Sequence, residues 1–177
     1  MIESRYWKED LLDHAKRLKP VKKPKRWSER RVVKFEKELI LSFFSIRKLF
    51  ETYKVSSKSR NHRTTVFNYP SKTEPITRHN QWDIDDVYEI EKERAIKKSI
   101  LFLANQFIHS TTILVYRKTD RNWGGVILCS DYERDEMIYR VPIEEIIKIF
   151  ELVGNDYPSI AISTWNEKKS DYVIETD

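Results

Sequence analysis

Ile100-Leu-Phe-Leu-Ala-Asn-Gln-Phe-Ile-His109 runs directly into Ser110-Thr-Thr-Ile-Leu-Val-Tyr-Arg117, and the fold is decided at that junction. Before it, Ile96, Ile100, Leu103 and Phe107 recur at steps of three and four, the spacing of one helix face. After it, β-branched and aromatic residues take over in short runs. Residues 112–117, 125–129 and 137–141 read as strands joined by tight turns at 120–122 and 131–135. Pro142 opens a short helix over 143–152 that Gly154 stops. Two further strands, 159–164 and 172–175, flank a turn at 166–170. The expected product is an antiparallel sheet of about five strands with one helix across a face.

Upstream of the junction the chain reads as helical. Residues 5–18 form a short helix capped by Ser4, with Trp7, Leu11, Ala15 and Leu18 on one side. It must end before Pro20. Lys19-Pro-Val-Lys-Lys-Pro-Lys-Arg26 has two prolines, five cations and only Val21 to bury, so it reads as an extended, solvated connector. Ser28 then caps a long helix to about residue 54. Its stripe is Val32, Phe35, Leu39, Phe43, Ile46, Phe50 and Tyr53, widened by Ile40, Leu41, Phe44 and Leu49, which predicts burial on most sides. Residues 55–82 are irregular apart from a short strand at 64–68. Asp83 or Asp85 caps a second long helix reaching Ser110, with Val87, Ile90, Ile96, Ile100, Leu103 and Phe107 as its buried face. Helices first and strands later make an α+β protein. Residues 1–27 are its basic helix and linker. Residues 28–177 are a single domain, with a helical half at 28–110 and a β-rich half at 111–177.

The charge is concentrated at one end. Residues 1–37 hold 13 Lys/Arg and 6 Asp/Glu, a net of +7, which leaves −2 for the other 140 residues of a +5 chain. Such a cluster attracts phosphate or an acidic protein surface. One cysteine, Cys129, permits neither an internal disulfide nor a cysteine-rich metal site and fits a reducing, cytoplasmic setting. The polar start of the chain lacks a signal-peptide pattern, and no apolar run approaches a membrane span.

Several chemistries find no motif. The three glycines match no nucleotide-binding loop; Gly124-Gly125 reads as a bulge or turn exit. The four histidines show no metal-ligand spacing, so neither metal nor cofactor is expected. Cys129 sits in the apolar run Val126-Ile-Leu-Cys-Ser130 and reads as a small core hydrophobe. Asn105 and His109 lie four residues apart on one helix face. They serve either the helix end, where His suits the dipole, or chemistry, with His109 as general acid/base.

Leu103-Ala-Asn-Gln-Phe-Ile-His109-Ser resembles the motif region of HEPN-type proteins over residues 28–112. Asn105 and His109 fall on motif positions, whereas Ala104 stands where the family has its Arg. The resemblance implies a helical bundle and an RNase of a toxin or phage-defence system.

Basic residues interleaved with aromatics suit single-stranded nucleic acid. Lys22, Lys23, Lys25, Arg26, Arg30 and Arg31 surround Trp27, and Lys58, Arg60, His62 and Arg63 gather in a second cluster, with Tyr69 and Trp82 in or near irregular segments. The expected role is an interaction module, binding RNA in preference to DNA, or an acidic protein, through the N-terminal arm. An RNase using His109 and Asn105 is the alternative. A further alternative is a subunit of a larger assembly, docked on a like or unlike neighbour through Trp7 and the first helix.

Overall fold

The computed structural model describes residues 3–72 and 75–177. Helices and strands assemble into an α+β fold around a five-stranded antiparallel sheet, with a separate two-stranded sheet at the C-terminal end.

α1 (Ser4–Leu18) ends two residues before Pro20, and Glu3 rather than Ser4 caps it, its carboxylate accepting from the Arg5 N–H. Leu11, Ala15 and Leu18 are buried in the main core, Trp7 is partly buried against it, and the helix packs on α6, so most of its apolar face is occupied within its own chain. α2 (Glu29–Glu51) follows Ser28 as expected and buries Phe35, Leu39, Phe43, Ile46, Leu49 and Phe50. The stripe is narrower than predicted: Leu41 and Phe44 are exposed. α3 (Ser57–Arg60) is a single turn leading into β1 (Arg63–Pro70), which contains the short strand read at 64–68.

The second long helix does not exist. Residues 83–110 instead form the turn α4 (Ile84–Val87), a 3-10 turn (Ile90–Lys92), the strand β2 (Arg94–Ser99) and the nine-residue α5 (Ile100–Ile108). The physical reason is Ser99, whose hydroxyl accepts from the Phe102 N–H and starts a new helix there. Ile96 shares a helical spacing with Ile100, but it sits on a strand opposite Val66.

β3 (Ser110–Arg117), β4 (Trp123–Ser130) and β5 (Met137–Pro142) follow as expected, then α6 (Ile143–Gly154). The sheet order is β2-β1-β5-β4-β3, all neighbours antiparallel. β1 and β2 come from the part expected to be helical, so residue 111 is no boundary in the fold. β6 (Ala161–Asn166) and β7 (Asp171–Thr176), expected in the main sheet, pair only with each other.

α5 and α6 lie on one face of the sheet over Val66, Val126, Leu128, Tyr139 and Val141, with α2 and α1 packed outside them. On the other face Ile76, Ile84, Val87 and Tyr88 cover Tyr69, Cys129 and Ile138. Cys129 is fully buried, and burial pushes its thiol pKa up, as suits a core residue. Gly125 has φ +145°, and a Cβ there would lie 2.2 Å from the Val141 carbonyl oxygen. The ladder shifts register between Tyr116 and Arg117, beside Gly124-Gly125, so the pair marks a bulge. No helix among the described residues is long and apolar enough to cross a membrane.

Candidate functional site

The linker is extended and exposed, as its prolines dictate, but it is pinned to the body rather than free. The Val21 N–H donates to Asn122 Oδ1 at 3.0 Å, and Asn122 Nδ2 donates back to the Val21 carbonyl at 3.2 Å. Asp120 fixes the Asn122 amide through a second bond of 3.0 Å. Trp27 Nε1 donates to the Arg121 carbonyl, and Arg31 Nη1 donates to the carbonyls of Lys25 and Arg26. These bonds fold residues 19–31 onto the β3–β4 turn, roughly 100 positions along the chain.

Between them lies a groove of about 540 Å³. Arg17 and Lys19 line it from the end of α1, Lys23 and Lys25 from the linker, Arg31 and Lys34 from α2, and Arg121 from the β3–β4 turn. Among the described residues Glu38 is its one acidic lining residue. It faces Arg17 at 3.7 Å and Lys34 at 3.8 Å. Lys19 pairs with Glu151. Lys23, Lys25 and Arg121 have no ion-pair partner among the described residues, so much of the positive potential is uncompensated.

The wall is aromatic. Trp123 stacks on Phe35 at 4.0 Å and meets Trp27 at 4.6 Å. Guanidinium groups lie over both indoles, Arg31 at Trp123 and Arg117 at Trp27. His14 lines the groove as well. The residue is 2% exposed, Nδ1 shares a hydrogen bond with Ser42 Oγ at 2.9 Å, and Nε2 has no hydrogen-bond partner among the described residues. Burial, with a smaller effect from Arg17, lowers its pKa to about 4. The ring is therefore neutral at pH 7, and the 3.6 Å approach of Nε2 to Glu38 is not an ion pair there.

Of the residues singled out from sequence, Lys23, Lys25, Trp27 and Arg31 line this groove. Lys22, Arg26 and Arg30 are exposed on the same segment but do not line it. Lys58, Arg60, His62 and Arg63 lie elsewhere, beyond the C-terminal end of α2, a helix whose 23 residues span roughly 34 Å. Arg60 lines a different hollow with Phe50, Glu51 and Leu101, its guanidinium over the Tyr53 ring. The two basic clusters do not form one surface. Tyr69 is buried in the sheet, and Trp82, though exposed, lines neither hollow. Arg121 and Trp123 escaped the sequence reading. The signal was present in Arg117-Lys-Thr-Asp-Arg-Asn-Trp123, three cations and a tryptophan around one turn.

His109 is exposed at the end of α5. With Asn105, Arg47, Gln106, Ser130 and Glu133 it lines a hollow of about 350 Å³ that contains none of residues 58–63. Arg47 Nη1 donates to Asn105 Oδ1 at 3.1 Å. Ala104 is fully buried, so the guanidinium in this hollow comes from α2. The stretch 28–112 contains two whole strands, and the start of a third, besides its helices. Among the described residues no three His, Cys, Asp or Glu side chains converge as metal ligands.

No protein-family model matches the chain, and no match was found among curated proteins or among solved structures.

Proposed function

We propose that the chain is a binding module for single-stranded nucleic acid, RNA in preference to DNA, held in the groove between the linker and the β3–β4 turn. The observation that carries this is the convergence of seven Lys/Arg side chains from four parts of the chain on a wall containing Trp27 and Trp123. Cations neutralise successive phosphates, and indole faces accept bases without regard to sequence. An acidic protein would meet the same charge, but the aromatic wall gives it less to recognise.

Fluorescence anisotropy with a labelled single strand tests this. Affinity falls steeply with salt between roughly 50 and 300 mM, as counterion release requires. Neutralising Lys23, Lys25 and Arg121 to Gln weakens binding at least about tenfold and lowers the logarithmic salt slope by about 2, at roughly 0.7 for each phosphate no longer neutralised. These side chains have no ion-pair partners among the described residues, so the fold is kept. Neutralising Lys58, Arg60 and Arg63 leaves binding nearly unchanged. Salt-independent binding, or equal loss in both variants, defeats the proposal.

A second reading rests on the Arg47–Asn105 bond. It places a guanidinium, an amide and the His109 ring at one hollow, the groups an RNase of the HEPN type would need around a phosphate. Cleavage of RNA that His109→Ala abolishes, with thermal stability unchanged, is its expected result. Intact RNA across single-stranded and hairpin substrates ends it.

A further inference from the structure

The hairpin of β6 and β7 stands apart from the body: among the described residues no helix or main-sheet strand packs substantially on either strand. Only its base is tied down. Thr176 Oγ1 donates to the Val55 carbonyl at 2.8 Å, and the Thr176 N–H donates to Ser57 Oγ at 3.0 Å. The Asp177 carboxylate accepts from the Ser159 N–H and hydroxyl. Beyond that clamp, Ile162 is 59% exposed, Trp165 52% and Tyr172 56%. A two-stranded hairpin is marginal in water, and its outer edges expose unpaired backbone groups.

The two edges differ in charge. β6 reads Ala161-Ile-Ser-Thr-Trp-Asn166 and holds no ionisable side chain, whereas β7 carries Asp171 and Glu175. β2, an outer strand of the main sheet, is guarded by Arg94, Lys97 and Lys98, the usual defence against edge pairing. β6 has no such guard.

We propose that the β6 edges of two copies of this chain pair antiparallel about a twofold axis, joining the hairpins into one four-stranded sheet. A second copy fits this edge better than the other. A twofold pairing centred on Val173 of β7 would set Asp171 against the second copy's Glu175, a like-charge pair, while no twofold pairing of β6 opposes any charges. Symmetry also sorts the faces. In a twofold antiparallel pair one residue faces itself, so odd-numbered positions meet odd and even meet even. Trp165, with its cross-strand neighbour Tyr172 at 5.2 Å, and Ile174 opposite Ser163, would therefore continue into the same residues of the second copy on one face.

Sedimentation velocity and light scattering on the full chain, from low to high micromolar concentration, read the result. The expected mass is twice 21.4 kDa. Replacing Ile162 and Thr164 together by Lys sets lysine against lysine for an axis at Ser163 or at Thr164, and returns the monomer mass with an unchanged circular dichroism spectrum. A separate test leaves the strand otherwise intact. Cys129 is sealed in the core, so mild oxidation of Ser163→Cys and Thr164→Cys, made singly, cross-links copies through whichever thiol lies on the axis. A wild-type monomer at every concentration overturns the proposal. So does a dimer that survives the two lysines, or the failure of both thiols to cross-link.

Discussion

Phe43→Ala destabilises the fold by about 4 kcal/mol, the loss expected when a large core side chain is cut back and its cavity cannot close. Phe43 is fully buried, stacks on Phe107 at 4.0 Å with an interplanar angle of 8°, and meets Phe150 at 5.5 Å. One ring thus joins α2 to α5 and α6, the two helices that lie on the sheet. Phe44, its neighbour in sequence, points outward and is 42% exposed, with the Lys48 ammonium over its ring at 5.7 Å. Phe44→Ala should cost under about 1 kcal/mol, within the range of surface changes. Urea unfolding of the two variants beside the wild type measures both. Equal losses would mean that α2 does not turn Phe43 inward and Phe44 outward.

Acid destabilises the protein through His14, by an amount on the order of 3 kcal/mol between neutral pH and pH 4. The unfolded chain protonates this imidazole near pH 6.5, the folded one only near 4. Above 6.5 the ring is neutral in both states and adds no pH dependence. Between 6.5 and 4 the unfolded state takes up a proton that the folded state refuses, so stability falls as pH falls, and below 4 the loss is complete. The groups that face the ring agree with this sign. Phe150 of α6 lies 5.3 Å away, Ser42 of α2 is neutral and Arg17 of α1 repels a charge. Glu38 opposes them, but it is also shared by Arg17 and Lys34. His14→Gln removes the titration while keeping a polar group near Ser42. Denaturation free energies at pH 7, 5.5 and 4.5 should converge for variant and wild type as pH falls. Parallel profiles would show that the ring is not held neutral.

The sequence revealed those parts of the fold that depend on near neighbours. α1, α2 and α6 were visible because a single apolar face repeats along each, and Pro20, Ser28 and Pro142 mark ends through local stereochemistry. β3, β4 and β5 were visible because short turns at 120–122 and 131–135 join them in order. β2 was misread because Ile96 and Ile100 fit a helix and a strand-to-helix junction equally well, and only the pairing of Val66 with Ile96 distinguishes them. Helical period showed which side of α2 is apolar, but not that its neighbours leave Leu41 and Phe44 uncovered.

The candidate site divides along the same line. Lys23, Lys25, Trp27 and Arg31 were found because they lie close together in the chain and are unusual in composition. Arg121 and Trp123 were missed because Asn122 brings them to Val21 through bonds between distant residues. Arg47 was missed for the same reason: a single bond to Asn105 carries it across from another helix.

The sheet order β2-β1-β5-β4-β3 has a consequence for synthesis on the ribosome. β1–β2 and β3–β4 can each pair as soon as they emerge, but both halves then wait for the strand that separates them. β5 is the last of the five to be made and takes the central position. From the end of β2 at Ser99 to the end of β5 at Pro142, elongation takes roughly 2–8 s. Through most of that interval the nascent chain carries the β1–β2 half alone, and from Ser130 onward it carries two half-sheets, each with its inner edge open and its apolar face uncovered by α6. A nascent-chain chaperone has most to protect once both halves are made, and a stall between residues 130 and 142 should be the most aggregation-prone point in the life of the molecule.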